Sequence, residues 1–189
     1  NQGIVALKDK TNTCPLFNKG LYEVGISEDK SRTIALTLFR SFKSEVGRPR
    51  GEMSLMEMNL NFDYALEFGT AEFTLGEIMV NGEQWRAGIK SVTTGLHAGE
   101  LALTASFLKI NGPGAVLSAF KTGKDGLQII RLYNCTKDPA AGEIELFKVP
   151  ANVYLLNLNE DIISKIKFTG KQITVKLSPA QVVCLGVKY

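Results

Sequence analysis

The sequence predicts an all-β protein, an antiparallel β-sandwich, and three observations lead to this fold class. Strand-like segments recur at about the 8–12-residue spacing that is typical of a sandwich. Several of these segments carry apolar residues on both faces, as strands buried between two sheets do. In addition, no long segment shows the 3.6-residue periodicity of an amphipathic helix.

The first part of the chain reads as short strands joined by turns. Residues 3–8 and 21–26 are apolar runs, and turn-forming residues separate them. Residues 32–40 place apolar side chains on both faces of a further strand. Residues 41–52 combine basic residues with glycine and proline and have no periodicity, which predicts a long exposed loop.

Residues 60–68 show the clearest alternation in the chain, with large apolar side chains at every second position. A period of two predicts a strand with one buried and one solvated face. We expect its apolar ladder to point inward, at roughly 1.5–3 kcal/mol per fully buried large side chain. Residues 70–99 contain many glycines and predict no clear element, whereas residues 101–110 again read as a strand.

A sharp break at residues 111–114, Asn-Gly-Pro-Gly, predicts a domain boundary. We therefore place one domain at 1–111, as part of a large super-sandwich, and a smaller terminal β-sandwich at 112–189. The terminal domain opens with a predicted hairpin, because a polar connection holding Gly123, Asp125 and Gly126 separates two strand-like runs. Further strands are predicted from residue 143 to the end.

Composition excludes several function classes. Hydrophobic residues make up 44% of the chain and charged residues 22%, which is typical of an ordinary globular protein. The net charge of +3 does not indicate nucleic-acid binding, and no apolar run approaches the roughly 18 residues of a membrane span. Three cysteines without metal-ligand spacing favour a reducing compartment, and one histidine cannot build a multi-histidine zinc site.

Several stretches together resemble the C-terminal β-region of glycoside hydrolase family 38, the α-mannosidases. They occur in the family's order and at similar distances. Where the family often has a Gln-containing segment and a His-Gly pair, this chain has Met56-Glu57-Met58 and Phe68-Gly69, which suggests a divergent, bacterial branch. The stretches are FNKGLYEV (17–24), TIALTLFRSF (33–42), NFDYALEFG (61–69), LSAFKTGKDGLQIIRLYN (117–134), VYLLNLNED (153–161) and ITVKLSPAQVVCLGV (173–187).

The resemblance implies that the parent protein is an enzyme, a retaining α-mannosidase acting on mannose-containing oligosaccharides. The catalytic carboxylates and a zinc ion would belong to an N-terminal catalytic domain, so we expect no catalytic residue, metal ligand or cofactor in this chain. Its partner would be that domain, which the chain would support while shaping the sugar cleft. A cytoplasmic location, a role in mannose metabolism and a homo-oligomer are also expected. The chain opens on Asn1, without an initiator Met or signal peptide, as if cut from something longer.

Three residues are candidates for contact with sugar. The resemblance points to Arg50, and second to Arg48, as arginines on the rim of the substrate cleft, although two solvated loop arginines would give the same pattern. Trp85 lies in a segment whose sequence predicts a loop, and its indole ring could stack on a pyranose ring. His97 reads as an ordinary loop histidine, and the N-glycosylation pattern at residues 134–136 as a coincidence.

Two other functions fit an all-β chain. One is a free-standing carbohydrate-binding β-sandwich, which would present an exposed aromatic patch. The other is a structural interaction sandwich with complete, self-covered sheets. A region taken from a larger enzyme should instead show an apolar face or an unpaired sheet edge.

Overall fold

The computed structural model describes residues 3–41 and 58–189, and within these ranges the chain is mostly β-strand with one α-helix. The all-β fold class is therefore confirmed. The elements of the first half are β1 (Ile4–Lys8), β2 (Asn12–Asn18), β3 (Val24–Ile26), β4 (Ile34–Leu36), β5 (Tyr64–Leu66), β6 (Gly69–Thr70) and α1 (Leu75–Ala87). Those of the second half are β7 (Leu108–Asn111), β8 (Ala115–Thr122), β9 (Gln128–Asn134), β10 (Ala140–Leu146), β11 (Asn152–Leu156), β12 (Ile162–Lys165), β13 (Gln172–Leu177) and β14 (Val182–Lys188).

The chain divides into two compact units. The first contains the described residues of Asn1–Phe73 together with Gly82–Gly88, and the second contains Thr74–Asn81 and Ile89–Tyr189. Strand β7, which precedes residue 112, pairs with β10 of the second unit. The boundary between residues 111 and 112 stays a prediction.

The second unit is a β-sandwich of two antiparallel sheets. Its three-stranded sheet has the order β13-β10-β7, and its five-stranded sheet has the order β12-β11-β14-β9-β8. Aliphatic side chains from both sheets meet in one core, because alternate residues of each strand face the opposite sheet. The buried members of this core are Ala115, Ile130, Leu132, Ile144, Leu146, Val153, Ile173, Val175, Leu177, Val183, Leu185 and Val187.

The predicted hairpin of the second unit is confirmed. β8 and β9 pair antiparallel and close at Thr122↔Gln128. In the turn, the Gly123 amide donates to the Leu127 carbonyl at 2.8 Å. Asp125 and Gly126 adopt positive φ angles of 55° and 73°, which aspartate tolerates and glycine favours.

Gly112 explains the sharp break before β8. Its φ of 125° lies in a region that favours glycine, and a Cβ there would stand 2.0 Å from the Ala141 carbonyl oxygen. The chain can therefore pass from β7 to β8 against β10 only with glycine at this position.

Asn134 ties the end of β9 to two other segments. Its side chain is almost fully buried, and its Nδ2 donates to the carbonyls of Asp138, Leu177 and Ser178 at 2.8, 3.3 and 3.1 Å. Its Oδ1 accepts from the amide and the hydroxyl of Thr136 at 2.9 and 2.7 Å. One amide side chain thus satisfies five polar groups near the edge of the core.

The first unit has a smaller buried core. β2 is its most buried strand and pairs with β1 on one side and with β5 and β6 on the other. β3 and β4 form a separate two-stranded hairpin. Helix α1 approaches β1 and β2 closely, since a Cβ at Gly82 would lie 2.5 Å from the Ile4 Cδ1.

The predicted inward ladder at residues 60–68 is wrong. Only Tyr64–Leu66 forms a strand, and Tyr64, Leu66 and Phe68 are 55%, 51% and 79% exposed. An alternating sequence shows which side chains share a face, but burial needs a second layer to cover that face. The described residues do not bury this one.

Helix α1 was not predicted from its periodicity. Gly76 and Gly82 lower its helix propensity, and it lacks a clear apolar stripe. A start signal was nevertheless present, because Thr74 and Glu77 form a capping box. The Thr74 amide donates to Glu77 Oε2 at 2.8 Å, and the Glu77 amide donates to Thr74 Oγ1 at 3.2 Å.

Replacing Asn134 should destabilise the chain strongly. Asn134→Ala removes one hydrogen bond from each of three carbonyls and takes the Asn134 acceptor away from the Thr136 amide, so we expect a loss of roughly 1–3 kcal/mol in the free energy of unfolding. Urea denaturation followed by far-UV circular dichroism measures this loss. Asn61→Ala, at an exposed asparagine, is the matched control and should change stability little; equal effects of both variants would contradict the role of Asn134.

The capping box should make stability depend on pH. The hydrogen bond from the Thr74 amide, followed by that from its hydroxyl, lowers the pKa of Glu77 below the ordinary value of 4.5. A lowered carboxyl pKa contributes stability above the unfolded-state pKa, and this contribution is lost as pH falls through the folded-state pKa. Denaturation at pH 7 and at pH 3 should therefore show Glu77→Gln to be more destabilising at pH 7 than at pH 3. Glu72→Gln should show no such difference, and a Glu77→Gln effect that is independent of pH would refute this assignment.

Candidate functional site

The two arginines predicted on the cleft rim, Arg48 and Arg50, lie outside the described residues. Their role stays a prediction.

Trp85 lies in helix α1 and not in a loop, so this part of its prediction is corrected. A helix begins at the capping box, although the glycines of residues 70–99 gave no helical pattern from which to predict it. The indole ring is half-buried and packs at 6.3 Å between centroids against Phe17, tilted by 31°. Lys19 Nζ lies over the ring at 5.1 Å, a cation–π contact. A sugar could stack only on the part of the ring that these two side chains leave open.

His97 lies in the irregular segment between α1 and β7. Its Nδ1 is 3.0 Å from the Ala98 carbonyl oxygen, and its Nε2 is 3.2 Å from Thr94 Oγ1. Within residues 3–41 and 58–189, no group of three or more histidine, cysteine, aspartate or glutamate side chains is arranged to hold a metal ion. Also within these ranges, no helix has the length and apolarity to cross a membrane.

The three cysteines are free thiols in different surroundings. Cys184 is buried beside Leu156 and Ile129, where it packs as a small apolar core residue. Cys14 and Cys135 are half-buried, and burial raises the pKa of the Cys135 thiol. A raised pKa reduces the thiolate fraction and therefore the reactivity of this side chain.

Two of the acidic residues in the described part of the chain, Asp9 and Asp29, hold turns. Asp9 accepts from the amides of Thr11 and Asn12, both at 2.7 Å, and these bonds lower its pKa. The Asp29 carboxylate accepts from Ser31, Ser27 and the Arg32 amide, and its pKa is lowered for the same reason. Each carboxylate is thus kept ionised by donors of its own turn, as expected of a structural role.

Glu160, in the turn of residues 157–161, pairs with two cationic side chains. Its side chain is mostly buried, 2.6 Å from Lys121 Nζ and 4.0 Å from an Arg131 guanidinium nitrogen. The neighbouring Asp161 instead accepts from Asn157 Nδ2 at 3.0 Å. The two carboxylates therefore serve different partners, and the glutamate pins the turn of residues 157–161 to β8 and β9.

Two adjoining grooves mark the surface of the first unit. One, of about 610 Å³, is lined by Lys8, Lys10, Lys30 and Arg32 beside Asp9. The other, of about 480 Å³, has a largely apolar lining. Sequence analysis missed both, because their residues come from separate strands and turns. The side chains of the apolar groove are Leu7, Cys14, Leu16, Arg32, Ile34, Leu36, Leu38, Tyr64 and Leu66.

Asn134, the acceptor of the N-glycosylation pattern, is unsuited to modification in the folded chain. Its Nδ2 is buried and donates to three carbonyls, as described above. The residues of this pattern therefore serve the fold.

A family model matches the second unit. Residues 114–185 match the "Glycosyl hydrolases family 38 C-terminal beta sandwich domain". This match confirms the resemblance that was predicted from the sequence. A search of curated proteins finds no match.

Two solved structures share the fold of the whole chain. An alpha-mannosidase from Enterococcus faecalis V583 superposes with a TM-score of 0.79 at 18% identity, covering 100% of this chain and 21% of that one. A protein in the glycosyl hydrolase family 38 from Enterococcus faecalis gives a TM-score of 0.78 at 18% identity, with coverages of 100% and 22%. The chain thus spans about a fifth of the length of these structures.

Proposed function

Because residues 114–185 match the model of the C-terminal β-sandwich domain of glycoside hydrolase family 38, we propose that the chain is the non-catalytic C-terminal β-region of an α-mannosidase. In the intact enzyme, terminal α-mannosides would be hydrolysed with retention in a preceding catalytic domain. This chain would support that domain and help to shape its sugar cleft. The family match at 114–185 is the observation that carries the proposal.

The acidic groups described above give no reason to place the chemistry in this chain. A retaining glycosidase needs two carboxyl groups about 5–5.5 Å apart, one as nucleophile and one as acid and base. Asp9, Asp29 and Glu77 are engaged in local turns or caps, and Glu160 is paired with two cations. The zinc ion expected of the family finds no fitting ligand set among the described residues, so we assign it to the catalytic domain.

The two units differ in how fully they bury their apolar side chains, and this difference agrees with a supporting role. The second unit buries a continuous core of its own between two sheets. The first unit leaves Tyr64, Leu66 and Phe68 exposed beside the apolar groove. Contiguous exposed apolar surface marks interaction sites in soluble proteins. We therefore propose that the first unit belongs to a larger β-domain and is covered by the preceding part of the enzyme.

A free-standing carbohydrate-binding sandwich is the second candidate. It would bind mannose oligomers through an exposed aromatic platform. Trp85 is the best residue for such a platform, but Phe17 and Lys19 already contact part of its ring.

We also propose, on the resemblance alone, that the intact α-mannosidase is a bacterial enzyme of the cytoplasm that acts in mannose metabolism as a homo-oligomer.

The intact gene product should hydrolyse α-mannosides, and the chain alone should not. We expect the intact protein to release p-nitrophenol from p-nitrophenyl α-mannoside and to lose activity on treatment with a chelator. Proton NMR should show the α-anomer of mannose as the first product. p-Nitrophenyl β-glucoside is the control substrate. Hydrolysis by residues 1–189 alone, or an inactive intact protein loaded with zinc, would contradict the proposal.

Arg50 should matter for the reaction if it reaches the cleft rim. A charge-assisted hydrogen bond contributes about 1.5–3 kcal/mol, so Arg50→Ala in the intact enzyme should lower kcat/KM about tenfold or more. Arg48→Ala, two positions away in the sequence, is the matched control and should have the smaller effect. Unchanged kinetics in Arg50→Ala, with unchanged thermal unfolding, would remove this arginine from the cleft.

A further inference from the structure

The segment between α1 and β7 is unusual because it is apolar and yet uncovered. Residues 89–106, here called the exposed arm, form neither helix nor strand, and every one of them is exposed. Ile89, Leu96 and Leu103 have exposures of 101%, 107% and 109%, and Val92 and Leu101 of 86% and 60%. These aliphatic side chains therefore touch almost nothing within the described chain.

The exposed arm combines polar residues with large aliphatic ones. Its formally charged residues are Lys90 and Glu100, eight further residues are serine, threonine, histidine or glycine, and it contains no proline. Flexible and disordered linkers are rich in such polar residues but poor in large aliphatic ones. Five large aliphatic side chains in so short a stretch indicate a surface that is built to be covered.

The second part of the exposed arm has the pattern of a strand without a neighbouring strand. Leu101, Leu103 and Ala105 alternate with Ala102, Thr104 and Ser106, and the sequence predicted a strand over 101–110. Pairing begins only at Leu108, which faces Leu146 of β10. Within the described residues, no backbone-to-backbone hydrogen bond joins residues 89–106 to another segment. The backbone groups of this stretch are thus available to a strand from elsewhere.

The end of the exposed arm is fixed in place. Phe107, which follows it, packs on Phe147 at 5.3 Å between ring centroids. The Phe147 amide donates to the Phe107 carbonyl at 3.1 Å. Residues 101–106 are therefore attached at one end to a fixed point of the sandwich. This attachment reduces the entropy that binding would cost.

The comparison structures indicate what covers the exposed arm. They share the fold over 100% of this chain, which includes the arm, while the chain accounts for 21% and 22% of their lengths. In both of these proteins, most of the polypeptide lies outside the region that aligns with this chain. A covering segment from the same polypeptide needs no second molecule, and this favours it over a second copy of the chain.

We propose that the exposed arm docks onto the preceding, catalytic-domain part of the same polypeptide, where residues 101–106 add a strand to an open sheet edge. Leu101 and Leu103 would enter apolar sites of that sheet, and backbone hydrogen bonds would fix the register. This inference rests on the proposed function, because it requires the chain to be one region of a larger enzyme.

Hydrogen–deuterium exchange with mass spectrometry on the intact protein tests the docking. We expect peptides covering residues 101–106 to exchange at least a hundredfold more slowly in the intact protein than in residues 1–189 alone. Unprotected exchange of these peptides in the intact protein would overturn the proposal. Protection in residues 1–189 alone that grows with concentration would also overturn it, because a second copy would then be the occupant.

A double substitution adds a test with a matched control. Leu101→Asp with Leu103→Asp should remove the protection and lower the thermal unfolding temperature of the intact protein. Leu158→Asp with Ile163→Asp, at exposed aliphatic positions elsewhere in the second unit, should do neither. Equal effects of the two pairs would argue against docking, and if the first pair prevents folding, the exchange of the unmodified protein decides.

Mannosidase activity, measured on the same intact samples, separates the two proposals. Protected arm peptides in a protein that does not hydrolyse mannosides would support docking and refute the proposed function. Unprotected peptides in an active mannosidase would leave the proposed function standing and refute docking.

Discussion

The second unit depends on the meeting of two sheets through their aliphatic side chains. Ile130 and Leu132 of β9 enter the same core as Ile144 of β10 and Ile173 of β13, so that strands far apart in sequence bury one another. Removing apolar surface from water supplies the driving force, and the close fit of the layers makes it specific. Asn134 extends this constraint to the edge of the core, where one buried amide holds the ends of β9 and β13 and the turn between β9 and β10.

The first unit shows what happens when the second layer is missing from one face. β2 is well buried, yet β5 has only three residues and presents Tyr64 and Leu66 to solvent. A two-stranded hairpin such as β3-β4 is at best marginally stable by itself. The two units do not differ in strand propensity, since both contain strongly strand-forming segments. It lies in how much covering surface the described residues provide.

The sequence predicted best those features whose causes are local. The hairpin of β8 and β9 was predictable because Asp125 and Gly126 provide the positive φ angles that its turn needs. Helix α1 also has a local cause, the capping box of Thr74 and Glu77, but its glycines and weak periodicity hid it. The placement of Trp85 in a loop was wrong for that reason. The ion pairs of Glu160 could not be predicted, because Lys121 and Arg131 approach it only through tertiary folding.

Two predicted strands differ from the structure because they lack a partner strand or a covering layer among the described residues. Residues 60–68 and 101–110 were predicted as strands, yet most of each segment is unpaired or exposed, and pairing in the second begins only at Leu108. A competing local structure, such as a capped helix, does not explain why these segments remain outside the sheets. What these segments lack is a partner, and β-propensity measures how well side chains fit against neighbouring strands and layers. Strand patterns that find no partner within the described residues therefore point to the surfaces by which this β-region would join the rest of the proposed enzyme.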